Sequence, residues 1–258
     1  HNTSQRQTII NCLGLAKKIM NDPITFKTVI IAVVGGALPA MIWLWFWLKG
    51  EDSDHKEPRG LIIISVMTGA LAVIFAIGLE KFSGIYITGH TSQIIAWAAI
   101  EEILKFTGVA LIIFGSGHID EPIDYPMYFI ATALGFAALE NVLFLLHPLT
   151  SESTLVGLLT GNLRFLGSTV LHAIASGMIG SAFGLAFYNG KFSKFIYVLF
   201  GIICAISLHS VFNFFIMKGS GENFLQVFGF IWIVAIINIL IFAKLRRMTP
   251  VIKAGIPQ

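Results

Sequence analysis

Apolar runs of about twenty residues or more alternate with short polar breaks along almost the whole chain. Seven such runs cover residues 27–49, 60–80, 91–115, 127–147, 163–188, 193–217 and 224–243. A helix that crosses the hydrocarbon core of a bilayer needs about 20 mostly apolar residues, so each run predicts one span. The breaks carry the charges and the helix breakers: 50–59 (GEDSDHKEPR), 116–126 (SGHIDEPIDYP), and the polar, glycine-bearing stretch 148–162. Residues 1–25 differ. There Ile9, Ile10, Leu13, Leu15 and Ile19 are mixed with Lys17 and Lys18, which predicts an amphipathic helix lying in the membrane interface.

Composition agrees with the pattern. The chain is 56% apolar and 12% charged, with a mean hydropathy of +0.82, where soluble domains carry about a quarter charged residues. The expected fold class is therefore all-α, a polytopic helical bundle of about seven spans with an N-terminal interfacial helix. Residues 26–258 read as one membrane-embedded domain, since no soluble domain, low-complexity tract or repeat interrupts them. The net charge of +3 contains no basic cluster of the kind that binds nucleic acid, and the lipid bilayer is the expected surrounding. Cys12 and Cys204 offer neither a disulfide framework nor a paired-cysteine metal motif. Orientation is balanced: Lys49, Lys56, Arg59, Lys191, Lys194 and the C-terminal basic group mark one face as cytoplasmic, whereas Lys17, Lys18 and Lys27 argue for the other. Small residues at four-residue spacing, Ser176, Gly180 and Gly184, predict a tight helix-packing ridge.

Ionisable groups inside a span are costly and are read first as functional. The third run carries Glu101, Glu102 and Lys105, and the fourth Glu140 and Asn141. The fifth carries His172, and the sixth His209 and Asn213. At 1.5 Å per residue, Glu101, Glu140, His172 and His209 all fall roughly 11–15 Å from the same membrane face. Glu101 and Lys105 share a helix face, as do His209 and Asn213. Glu101 and Glu102 point about 100° apart, so only one of them can aim straight at a common centre, and the other is expected to support it by hydrogen bonding to a neighbouring helix. Two imidazoles and two carboxylates at one level suit zinc. They equally suit a metal-free site with a glutamate base, histidines that orient water and an amide that steadies an oxyanion. Both lead to attack of water on a carbonyl. A proton-coupled transporter using the same groups is the competing reading, although no inverted repeat accompanies them. A scaffold whose polar groups only pack helices is the third.

The order of EEILK (Glu101–Lys105), DEPID (Asp120–Asp124), GFAALEN (Gly135–Asn141), the single His172 and HSVFN (His209–Asn213) resembles the PrsW family of membrane-embedded proteases. The resemblance covers roughly residues 95–215, within the central helices at about 91–217. It is also similar to the broader CAAX-processing and bacteriocin-processing membrane proteases. There an FxxxH block corresponds to Phe136–Glu140, with Glu in place of His, and an HxxxN block to His209–Asn213. The resemblance implies Glu101 as the base that activates water, with Glu102 in support. It implies Glu140, His172 and His209 as groups that position the water or, together with Glu101, bind zinc. Asn213 would steady the oxyanion. Which of Glu140, His172 and His209 partners Glu101 is left open, as is the choice between zinc and a metal-free mechanism. The implied substrate is a membrane-anchored protein such as an anti-sigma factor, and the implied location a prokaryotic plasma membrane.

Overall fold

A computed structural model describes residues 26–49, 57–113, 116–151, 154–218 and 224–248. Among them every regular element is helical: α1 (Phe26–Lys49), α2 (Arg59–Tyr86), α3 (His90–Ile113), α4 (Asp124–Ser151), α5 (Thr154–Leu185), α6 (Lys191–Lys218) and α7 (Phe224–Met248). The expected interfacial helix at 1–25 lies outside the described residues. Each predicted span coincides with one helix, but the ends differ. α2 continues past Glu80 and Lys81 to Tyr86, because two charges at a membrane boundary do not break a helix. The stretch read as a connector at 148–162 is helical on both sides of residues 152–153. Glycine weakens a helix by roughly 1 kcal/mol without forbidding it.

Six of the seven helices are long and apolar enough to cross a membrane. The exception is α3, which is just as long but carries Glu101, Glu102 and Lys105 at its centre. Burial sorts the bundle into a centre and a rim. α4 and α5 are the most enclosed helices; α1 and α2 pack on α4, α6 and α7 pack on α5, and α3 closes the gap between α2 and α6. The rim helices present isoleucine, leucine and phenylalanine outward, as a lipid-facing surface requires.

Two glycines let α2 and α4 touch backbone to backbone. A Cβ on Gly69 would stand 1.8 Å from the Thr132 carbonyl oxygen, and one on Gly135 would stand 1.9 Å from that of Val66. The predicted ridge on α5 does the same against the start of α4: a Cβ on Gly180 would meet Pro126, and one on Gly184 would meet Pro122. Ser176, the third member of that ridge, has a different task, described below. These close approaches bring the middles of α3, α4, α5 and α6 around one buried polar centre.

Candidate active site

The centre is built outward from α3. Glu102 is fully buried and accepts three hydrogen bonds from three different helices. Lys105 Nζ donates to its Oε1 at 2.7 Å, His209 Nδ1 lies 2.9 Å from the same oxygen, and Ser176 Oγ donates to Oε2 at 2.9 Å. Lys105, itself inaccessible, also lies 2.7 Å from His172 Nδ1 and sits over the Phe136 ring at 4.3 Å. With its lone pair on Nδ1 facing the ammonium, His172 keeps its proton on Nε2, which donates to Glu140 Oε2 at 2.8 Å. The two imidazoles stand edge to face with centroids 5.0 Å apart. Each ring is thus fixed by a carboxylate on one nitrogen, Glu102 for His209 and Glu140 for His172.

Glu101 stands apart from this network. Its Oε2 is buried and has no hydrogen-bond partner among the described residues. Three nitrogens surround it: Lys105 Nζ at 3.7 Å, His209 Nε2 at 3.8 Å and His172 Nδ1 at 3.9 Å. All three are too long for direct hydrogen bonds. One orphaned carboxylate oxygen facing two oriented imidazoles is the arrangement expected around a bound water or cation. The Glu140 side chain is 38% exposed, against 8% for Glu101, so the centre opens to its surroundings past Glu140. A second orphan lies close by in sequence. The Trp97 indole Nε1 is buried without a partner among the described residues, one turn before Glu101 on the same stripe of α3.

Residues 57–241, well over half of the chain, match the PrsW family of intramembrane metalloproteases. The chain belongs to that family. It is an integral membrane protein of a prokaryotic membrane and a membrane-embedded protease. Protease PrsW of Geobacillus kaustophilus is 27% identical over 190 residues, which is 72% of this chain and 79% of that protein. Protease PrsW of Clostridioides difficile is 28% identical over 190 residues, covering 70% of this chain and 76% of the relative. That of Bacillus subtilis is 23% identical over 186 residues, covering 70% and 81%. No solved structure matches the chain significantly.

A PrsW-family chain raises the question of a metal, and the donor set can be tested for it. One ligand atom each from Glu101, His172 and His209 lies within 4.8 Å of the other two. Zinc bonds of about 2.0–2.1 Å would bring tetrahedral ligand atoms to roughly 3.4 Å, a few tenths of an ångström tighter than the distances to Glu101 Oε2. Carboxylates on the far nitrogens of both imidazoles are the usual support of metal-binding histidines. Three carboxylates against one ammonium also leave the centre negative when the imidazoles are neutral. The residues therefore fit a divalent cation in type, spacing and charge. Lys105 would have to withdraw from His172 Nδ1 to admit one.

Of the residues singled out from sequence, Glu101, Glu102, Glu140, His172 and His209 meet in this centre. Asn213 lies one turn from His209, half-buried and outside the hydrogen-bond network of the described residues. Glu101 and Lys105 face each other at an ion-pair distance of 3.7 Å, as their shared helix face implied, but the shorter contact of Lys105, at 2.7 Å, is with Glu102. Helical spacing permits both pairings, and the additional donors from α5 and α6 decide for Glu102. Ser176 was missed as a polar contact because its spacing with Gly180 and Gly184 reads as packing. Asn141, next to Glu140, turns away from the centre and donates to Thr169 Oγ1 at 3.0 Å, tying α4 to α5. His118 is exposed in the α3–α4 loop, while the side chain of His147 lies outside the described residues.

Proposed function

We propose that this protease hydrolyses a peptide bond of a membrane-anchored protein, an anti-sigma factor being the class its resemblance suggests, with Glu101 as the group that activates water. The observation carrying the reading is the orphaned Glu101 Oε2, buried and faced by His209 Nε2 and His172 Nδ1. Glu101 takes a proton from water as the water oxygen bonds to the scissile carbonyl carbon. It then returns that proton to the leaving amine as the C–N bond breaks. Glu102 and Glu140 hold the two imidazoles in the tautomers that face the water. α3 and α6 run antiparallel, so Trp97, four residues before Glu101, and Asn213, four after His209, lie about one turn toward the same membrane face. Both are free to donate to the oxyanion that develops on the carbonyl.

Zinc, when bound, would be held by Glu101, His172 and His209 and would supply Lewis-acid polarisation of the carbonyl and a more acidic water. Glu101 cannot be ligand and free base at once, and chelation separates the two roles. Cleavage of a membrane-anchored substrate that persists after metal removal makes Glu101 the base. Cleavage lost on chelation and restored by zinc makes it a ligand. The test of the reading is reconstituted cleavage by the natural chain and by Glu101→Gln. Loss of cleavage in a folded Glu101→Gln protein is expected, and normal cleavage by it overturns the assignment.

A further inference from the structure

On the face of the bundle turned away from the polar centre, α1 and α7 run side by side without closing on each other. Trp43 meets Trp232 at 6.3 Å and Trp47 meets Phe242 at 5.0 Å between ring centroids, so the two helices are parallel and end at the same membrane face. Between them lies a cavity of 350 Å³ with apolar walls, floored by Val170, Ala173 and Ile174 of α5. Through Trp45, Phe46, Trp47 and Ile239, which line both, it continues into a second cavity of 430 Å³. The lining of the second adds Phe242 and two cations, Lys49 and Arg246, one from the end of each helix. Lys49 Nζ stands 5.0 Å from the Trp45 ring, and Arg246 is half-buried.

We propose that this groove is a binding site for one phospholipid with an anionic headgroup. Its dimensions choose the occupant. The groove runs 14 residues along α7, from Trp232 to Arg246, about 21 Å, and seven along α1, from Ile42 to Lys49, about 10 Å. One leaflet contributes roughly 15 Å of hydrocarbon, half of the ~30 Å core, followed by the headgroup. A substrate helix would instead need a trough about 10 Å wide over the full thickness. Its chemistry agrees: the acyl chains meet only apolar side chains, Trp45 and Trp47 stand within about one turn of Lys49, where hydrocarbon gives way to headgroup, and the phosphate arrives between two cations. The floor residues Ala173 and Ile174 follow His172 directly in sequence, while the imidazole itself points to the opposite side, toward Lys105 and Glu140. The lipid therefore braces α5 from behind without entering the polar centre.

The experiment is native mass spectrometry of the full chain from detergent, with phosphatidylglycerol and phosphatidylcholine offered together, on the natural sequence, Lys49→Gln/Arg246→Gln, and Ala235→Trp. Two headgroup cations predict a preference for phosphatidylglycerol on the order of tenfold to thirtyfold. The double variant should keep one bound lipid and lose the preference. Ala235→Trp, which fills the groove, should lose the retained lipid. Gel filtration of both variants reports whether they fold. A benzophenone amino acid at Ile239 gives an independent readout that requires no variant of the cations, and it should crosslink to phospholipid. Equal retention of the two lipids by the natural chain overturns the proposal and leaves Lys49 and Arg246 as cations that merely reach the interface. So does a crosslink at Ile239 to polypeptide, or a preference unchanged in the double variant.

Discussion

Adjacent glutamates on α3 should respond to mutation in opposite ways. Glu102 satisfies Lys105, His209 and Ser176 at 2.7–2.9 Å, all from inside the bundle. Glu102→Ala strands a buried ammonium together with two other donors. Removing one partner of a buried ion pair costs about 3–5 kcal/mol, which at 2–4 °C per kcal/mol lowers the melting temperature by about 6–20 °C. Glu101→Gln removes a charge whose Oε2 has no hydrogen bond to lose. Its melting temperature should stay within about 2 °C of the natural chain. Its cleavage rate should nevertheless fall by about 10²–10⁴, the usual contribution of a general base. Thermal unfolding of the detergent-solubilised protein, followed by intrinsic tryptophan fluorescence, reads the first quantity, and cleavage of a membrane-anchored substrate in proteoliposomes reads the second. Glu102→Gln keeps the acceptor oxygen without the charge and should fall between the two in stability. Unfolding of Glu101→Gln as early as Glu102→Ala, or cleavage by it at the natural rate, would refute this division of roles between the two glutamates.

Two further outcomes are expected. If zinc is held by Glu101, His172 and His209, its content, measured by inductively coupled plasma mass spectrometry after dialysis against zinc, approaches one ion per chain and is lost in His172→Ala and His209→Ala, whereas a zinc-free natural chain leaves Glu101 as the base. Glu140→Ala, which removes only the support on His172 Nε2, should weaken zinc affinity by about 10–100-fold, and unchanged binding in all three variants would remove the metal reading. Trp97→Phe keeps the ring and deletes the buried N–H. It should lower kcat by about 10-fold or more with KM and melting temperature nearly unchanged, whereas a change confined to stability would make Trp97 a packing residue.

The architecture was legible because membrane insertion imposes it residue by residue. A run of twenty apolar residues in lipid has few options besides a helix, and all seven runs became helices. The site was legible for the converse reason, since Glu101, Glu140, His172 and His209 have no place in lipid unless they find one another. The details that escaped depend on side-chain choices that spacing leaves degenerate. Lys105 is equally placed for Glu101 and Glu102, and only donors from other helices decide. Ser176 looks like a spacer until the Glu102 carboxylate is brought across from α3. The early start of α5 was hidden by glycines that depress helix propensity without preventing a helix from forming.

The charges on α3 make its insertion depend on the helices that follow it. Taking glutamate as costly as aspartate, Glu101, Glu102 and Lys105 each oppose insertion by about 2.5–3.5 kcal/mol near the membrane centre. Ten Ile, Leu, Phe and Val residues between His90 and Ile113 return only about 0.3–0.6 kcal/mol each. Alone, α3 is therefore uphill by roughly 1.5–7.5 kcal/mol. His172, Ser176 and His209 arrive only with α5 and α6. A chain truncated after residue 115 should leave α3 largely outside the membrane in a glycosylation-mapping assay, and a chain extending through residue 218 should hold it inside. Replacing Glu102 and Lys105 together by leucine should restore insertion of the short chain, because two of the three opposing charges are gone. Efficient insertion of α3 in the short natural chain would contradict this dependence. It would mean that the Glu102–Lys105 pair alone neutralises the helix, and that α5 and α6 add catalytic geometry without adding to its insertion.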